Sequence, residues 1–410
     1  MSGLAWEGFK RLPINPGDVG SRRLNSELYY ILAAGTVLYL FSVWEHLPGI
    51  TPSHYSDITS VFWREGIGRG THGIPYYNFM FEYPVLVGLA VYICSSVRLV
   101  VPGFDEAMMY YMLAMDAILY IFTMAAIIYL YRLVTLVKGD VSRIWKCFLV
   151  APSFIMFTSY NWDIMAVAFS TASLYYYLRG EKGKADLSLG LGIGAKLYPV
   201  LLIPVYILEE KDWLSRLRRF FTPLLVFAAL NLPFIAANFH TWFETWLYHA
   251  RWGIEDSWLI FLFDQMDVKA HYVALAVLVY LLYKGLLESS KRSYPSRDGR
   301  VIHRGFLASV AWLFGNYVVT PQMALILLPF YVLIPMIPVA AIYTAEILNA
   351  LIIVLWFTPE LNLGNPLVRS SPVQWAAALR QIIWLSLYVY TLYPEKARIW
   401  VRKLFQRVGE

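Results

Sequence analysis

Apolar residues fall in long runs separated by short polar and basic stretches. Residues 28–47, 107–130 and 373–392 each match or exceed the ~20 residues that cross hydrocarbon as a helix. None shows the ~10-residue alternation of a membrane barrel strand. The pattern predicts an all-α fold: a polytopic transmembrane helical bundle of about 10–12 helices, some short or re-entrant, forming one integral membrane domain over 1–410.

The polar stretches set the expected topology. Residues 1–27 carry Lys10, Arg11, Arg22 and Arg23 and read as a cytoplasmic N-terminal segment before a retained first helix. Residues 48–82 form a long first outer loop, and loops of this length are usually functional. Helix two is expected at about 83–100 and helix three at about 107–130. Residues 147–178 are long for one helix and short for two, so a pair of short helices meeting at Tyr160-Asn161-Trp162-Asp163 is one solution. Glycines across 187–208, with Pro199 and Pro204, suggest a broken or re-entrant helix. The basic stretch 211–219 should be cytoplasmic. A helix at 220–237, an outer loop at 238–270 and a helix from 272 then lead to a basic cluster at 284–304. About three short spans fit in 306–357, broken at Thr320-Pro321-Gln322. A polar loop, 358–372, precedes the last helix, and the basic tail 394–410 is expected inside. One conflict stands. Three simple spans before Arg132 would put the basic stretch 132–146 outside, against the positive-inside rule, unless a segment is re-entrant.

Composition agrees with a membrane chain. It is 59% hydrophobic and 15% charged, against about 45–50% and about 25% in soluble domains. The net charge of +6 comes largely from short clusters between apolar runs, which reads as topology and not as a nucleic-acid surface. Cys94 and Cys147 have no disulfide or metal spacing, and the histidines lack a metal-binding pattern such as HExxH. A Walker loop, a dinucleotide glycine motif and a nucleophile elbow are likewise missing, which leaves nucleotide-dependent soluble chemistry unsupported.

The expected topology gathers polar groups at one face. They are the Asp57 loop, Glu82-Tyr83-Pro84, the loop 248–258, Thr320-Pro321-Gln322 and, if the short-helix pair forms, Asn161-Trp162-Asp163. This suggests a site at the outer mouth of a membrane cavity. Asp57 could be a base for an attacking hydroxyl or a solvated loop carboxylate. Glu82 could share that role or serve the dipole of the helix it precedes. Lys196 lies in an apolar run, so its ammonium either snorkels or meets an anion. That anion could be a ligand phosphate or an acid such as Asp116. Arg251, Glu255 and Asp256 could form a surface ion pair or part of a polar pocket.

Tyr55-Ser56-Asp57-Ile58, Gly73-Ile74-Pro75-Tyr76 and Phe81-Glu82-Tyr83-Pro84-Val85-Leu86 resemble the first outer loop of the polyprenol-phosphate-mannose-dependent mannosyltransferases, GT-C superfamily membrane enzymes. Further similar segments follow in order: Asn161-Trp162-Asp163; Gly194-Ala195-Lys196-Leu197-Tyr198-Pro199; Tyr248-His249, Arg251, Gly253 and Asp256-Ser257; and Thr320-Pro321-Gln322. Trp252 interrupts the family's Arg-Gly, Asp256 replaces Glu, Thr320 replaces Ser and Val85 replaces a second Pro. The resemblance implies a GT-C-like fold and an inverting transfer of a hexose, mannose in that family. The donor would be a polyprenyl-phosphate sugar, the acceptor a hydroxyl of a glycan or glycolipid, and the site would face outward from a prokaryotic plasma membrane. Asp57, with Glu82, would be catalytic. Tyr83, Asn161, Asp163, Lys196, Tyr198, His249, Arg251, Asp256, Ser257 and Gln322 would bind substrate, with Lys196 or Arg251 neutralising the leaving phosphate. The first loop has a single Asp in place of a DxD, so a divalent metal stays open but unsupported by spacing, and the sequence points to no definite cofactor. Two other classes fit the pattern: a flippase or transporter of a lipid-linked sugar, with Lys196, Asp116 and Glu346 along its path, and a non-catalytic assembly protein with no requirement for Asp57.

Overall fold

A computed structural model describes residues 26–50, 55–70 and 72–395. The expected segments 1–27 and 394–410 therefore lie outside the described residues, apart from 26–27 and 394–395. Every regular element among the described residues is a helix or helical turn, and five helices are long and apolar enough to cross a membrane. The chain is an integral, multi-pass, all-α membrane protein. It divides into two compact units that meet in sequence between Trp252 and Gly253.

In the first unit, α1 (Ser26–His46) leads into the first loop. That loop is not wholly irregular. Ser56 caps a short helix, α2 (Asp57–Arg64), by accepting from the Thr59 N–H at 3.2 Å, and Ile58, Val61 and Phe62 bury one face. Helix α3 (Val85–Ser95) stands where the second span was expected, but its 11 residues reach only about 16 Å, against ~30 Å of hydrocarbon. Both its ends are held by the first loop. Tyr76 donates to the Tyr83 carbonyl at 2.6 Å, His72 Nδ1 lies 3.0 Å from Ser95 Oγ, and Arg98 donates to the Gly68 carbonyl at 3.2 Å.

Helix α4 (Phe104–Leu136) starts beside the same loop, with Phe104 against Trp63 at 4.3 Å between ring centroids. It runs antiparallel to α1: Tyr39 meets Asp116, then Thr36 meets Tyr120, then Gly35 meets Ile127. The C-terminal end of α4 therefore lies at the Ser26 end of α1. This removes the topological conflict, because α3 returns to its own loop and does not count as a span.

The chain comes back through α5 (Ser142–Ile144), a π turn (Trp145–Leu149) and α6 (Pro152–Phe157). A turn over 158–162 precedes α7 (Asp163–Arg179), so the expected pair of short helices about Asn161 is present. Helix α8 (Lys182–Ala195) is broken at Lys196, which is extended (φ −152°, ψ 151°); a 3-10 turn (Tyr198–Leu201) and α9 (Leu202–Glu209) follow. Pro199, lacking an N–H, favours the break. Gly190 lets α8 approach the next helix, since a Cβ there would lie 2.6 Å from the Pro223 carbonyl.

That helix, α10 (Trp213–Ala250), changes course at Asn238 (φ −157°, ψ 84°). Trp242 reaches back to Asn231 at 2.8 Å, and the rings of Phe227 and Trp246 lie 6.1 Å apart. A straight helix would separate the last pair by about 28 Å. Residues 239–250 therefore fold back along 213–237, and the expected outer loop 238–270 begins as a returning helix.

The second unit contains α11 (Lys269–Ser290), α12 (Arg297–Phe314), a 3-10 turn (Pro321–Leu327), α13 (Leu328–Leu333), α14 (Val339–Trp356) and α15 (Pro372–Leu392). The predicted break near 320–322 falls between α12 and the 3-10 turn. Part of the basic cluster 284–304 is inside α12 and not in a loop.

Candidate active site

The first unit brings together eight of the sequence-predicted residues from five separate segments. Asp57 opens α2, where its N–H donates to the Tyr160 carbonyl at 3.0 Å. Its carboxylate accepts from Asn161 Nδ2 through Oδ2 and from Tyr55 Oη through Oδ1 at 2.9 Å, with Tyr83 Oη 3.5 Å from Oδ2. Asn161 is oriented by its own Oδ1, which accepts from the Trp162 N–H at 2.5 Å, so its amide faces Asp57 and Tyr83 with N–H groups. Burial pushes the Asp57 carboxyl above the ordinary carboxylate range. The Asn161 and Tyr55 hydrogen bonds and the Lys196 charge oppose that rise, while the Glu82 charge adds to it.

Glu82 is nearly enclosed and forms an ion pair with Arg64, which also lies 3.5 Å from Glu65. The Glu82 backbone carbonyl accepts from His249 Nε2, at the end of the returning helix 239–250. Lys196, freed from helix geometry by the break after α8, sets its ammonium 3.1 Å from Asp163 Oδ2 and 4.6 Å from the centre of the Tyr83 ring. Tyr198 supports this arrangement by donating to the Asp163 carbonyl at 3.0 Å. Lys196 thus has an acidic partner, Asp163. Asp116, the acid considered for that role, is instead bonded by Ser159 at 2.6 Å. Arg251 is 69% exposed and pairs with Glu244 at 3.6 Å.

Three predicted residues belong to the second unit. Asp256 is buried at positive φ (51°), accepts from Gln374 at 3.4 Å through its side chain and from Arg380 at 3.2 Å through its carbonyl. Ser257 donates to the Asn316 carbonyl at 2.9 Å, and Gln322 is buried in the first turn of the Pro321–Leu327 segment. Arg380, fully buried and hydrogen-bonded to Asn349 and the Val319 carbonyl, organises this region and was not singled out from sequence.

Within the first unit, sequence reasoning also missed the roles of Arg64 and Tyr55. Had 57–64 been read as a helix, the i,i+7 spacing of Asp57 and Arg64 would have placed both on one face. No group of three or more His, Cys, Asp or Glu side chains among the described residues is arranged to hold a metal ion.

The arrangement sets a carboxylate held by neutral donors beside a second carboxylate engaged by a guanidinium, with a lysine ammonium nearby. It can accept a proton from a hydroxyl and offer positive charge to an anion. Among curated proteins no match is found. A family model, glycosyltransferase family 87, matches residues 81–287, which is half of the chain. The match takes in Glu82, Tyr83, Asn161, Asp163, Lys196 and His249, and Asp57 lies outside it. The chain belongs to glycosyltransferase family 87 and is an integral membrane glycosyltransferase.

Proposed function

We propose that this glycosyltransferase moves a hexose, mannose as the first choice, from a polyprenyl-phosphate donor to a hydroxyl of a glycan or glycolipid acceptor at the extracytoplasmic face of a prokaryotic plasma membrane. The acceptor oxygen attacks the anomeric carbon as its proton passes to the Asp57 carboxylate. The bond from that carbon to the donor phosphate breaks, and its electron pair leaves with the phosphate oxygen. A single displacement inverts the anomeric centre.

One observation carries the reading. The Asp57 carboxylate is held by neutral donors, Asn161, Tyr55 and Tyr83, whereas Glu82 is paired with Arg64. This contrast supports Asp57 as the carboxylate that takes the proton, with Glu82 in the wall beside it. Lys196 is the cation assigned to the leaving phosphate, and a mobile polyprenyl chain suits a site built between membrane helices.

The test is transfer of radiolabelled hexose from defined polyprenyl-phosphate sugars into membranes containing only this protein. Asp57→Asn should lower turnover by roughly 10²–10⁴-fold, the range of general-base help. The new amide meets the Asn161 amide, so melting temperature is measured alongside. Glu82→Gln is the control. Normal turnover in Asp57→Asn with loss in Glu82→Gln would exchange the two roles. Full activity in both variants would remove carboxylate catalysis from this site.

A further inference from the structure

Asp116 lies in the first half of α4 and is 4% exposed. An ionisable group in an apolar helix is costly and calls for an explanation, and neither the proton acceptor nor the phosphate contact uses it. Its Oδ1 accepts from Ser159 Oγ at 2.6 Å and lies 3.3 Å from Tyr39 Oη, which donates to the Asp116 carbonyl at 2.7 Å. The adjacent Met115 receives the Trp162 indole N–H at 3.1 Å. Two consecutive residues of α4 thus grip both ends of the turn 158–162. Helix α1 adds a third hold, with Ser42 Oγ accepting from the Ser159 N–H at 3.2 Å. Between these anchors stand Tyr160, whose carbonyl takes the Asp57 N–H, and Asn161, whose amide holds the Asp57 carboxylate.

We propose that Asp116 is a positioning residue for Asp57, acting through Ser159 to hold the turn from which Tyr160 and Asn161 reach it. The proposal rests on Asp57 being the base. Among the described residues, the charged and titratable groups around Asp57 include Tyr55, Glu82, Tyr83 and Lys196, and those around Asp116 include Tyr39 of α1 and Cys94 of α3. The Asn161 hydrogen bond favours the Asp57 carboxylate. If the turn is released, that bond weakens and Asp57 must titrate at higher pH.

The experiment uses the full-length protein with two readouts. One is the Asp57 carboxylate infrared band, identified by its loss in Asp57→Asn and titrated without donor. The other is kcat against pH with a panel of radiolabelled polyprenyl-phosphate hexoses. Ser159→Ala and Asp116→Val should both move the infrared midpoint and the acid limb of kcat to higher pH. Each should lower kcat by roughly 10–10²-fold, as a small displacement of a reacting group can. Asp116→Asn keeps an acceptor for Ser159 and should stay near wild type. The double variant Asp116→Val/Ser159→Ala should be no worse than the poorer single, because both act on one contact. If Asp116→Val fails to fold, Ser159→Ala carries the test. An unmoved Asp57 band in Ser159→Ala overturns the proposal, as does Asp116→Asn behaving like Asp116→Val. If Asp57→Asn transfers sugar normally, the base assignment fails instead, and the infrared titration still decides whether Asp116 places Asp57.

Discussion

Replacing Lys196 by Met separates a structural from a ligand-binding role for this residue. The Lys196 side chain is 12% exposed and that of Asp163 0%, and apart from this ion pair the Asp163 carboxylate oxygens have no hydrogen-bond donor among the described residues. Removing the ammonium leaves a buried carboxylate uncompensated, and breaking such a pair from one side costs about 3–5 kcal/mol. Asp163 stands in the first turn of α7, where the helix dipole typically returns about 0.3–1 kcal/mol. The expected net loss for Lys196→Met is therefore about 2–5 kcal/mol. Lys196→Met/Asp163→Asn removes both charges and should regain most of that stability, since neutral replacement of a buried pair is often tolerated. Donor affinity should remain low in both variants if Lys196 also meets the phosphate. Equilibrium unfolding in detergent measures the first quantity, and binding of radiolabelled polyprenyl-phosphate sugar the second. A double variant as unstable as Lys196→Met would refute the uncompensated-charge argument. Normal donor binding by a stable double variant would remove Lys196 from the phosphate site.

Three further outcomes are expected. Burial raises the Glu65 carboxyl to about 7, with Arg64 opposing the rise; its folded-state proton affinity exceeds the unfolded one, so stability should fall as pH rises from the ordinary carboxylate range to about 7, and Glu65→Gln should flatten that slope in pH-dependent unfolding. Asn238 caps the returning helix by accepting from the Thr241 N–H at 3.2 Å and donates to the Tyr77 carbonyl at 2.9 Å. Asn238→Ala should therefore cost about 1 kcal/mol in equilibrium unfolding, with less loss in Asn238→Asp, which keeps the capping oxygen. For sidedness, cysteines at His240 and Leu361 should react with an impermeant thiol reagent from outside, and one at Lys211 only after permeabilisation; labelling of His240 only after permeabilisation would invert the assignment of this half.

Much of the fold is legible because long apolar runs have few alternatives in a membrane chain. The runs at 28–47, 107–130 and 373–392 lie within or closely over α1, α4 and α15. The break at Lys196 and the turn at Asn161 are also legible, since glycine, proline and a polar cluster interrupt apolar sequence there. What the sequence hides is set by distant contacts. Hydropathy marks 83–100 as apolar, but the His72–Ser95 and Arg98–Gly68 contacts decide that it returns to its own loop. The helix end at 237 is legible too, but 239–250 reads as loop, and only Trp242 reaching Asn231 shows that it returns as a helix. At the site, the resemblance pointed to Asp57, Asn161 and Lys196. Arg64 stayed hidden because the stretch around it reads as loop until Ser56 is seen to cap it.

The short helix α3 also bears on how the protein is made. Its apolar stretch leaves the ribosome before α4, whose Phe104 packs against Trp63. At that stage the contacts that bind α3 to the first loop compete only with insertion into lipid. A reporter fused just after Leu99 therefore reads the orientation of an unfinished chain, whereas one fused after Leu136 reads that of a chain in which α4 has paired with α1. Because α4 crosses between these two points, the reporters should lie on opposite faces if α3 stays with its loop; reporters on the same face would show that α3 had inserted as a span before the first loop was secured.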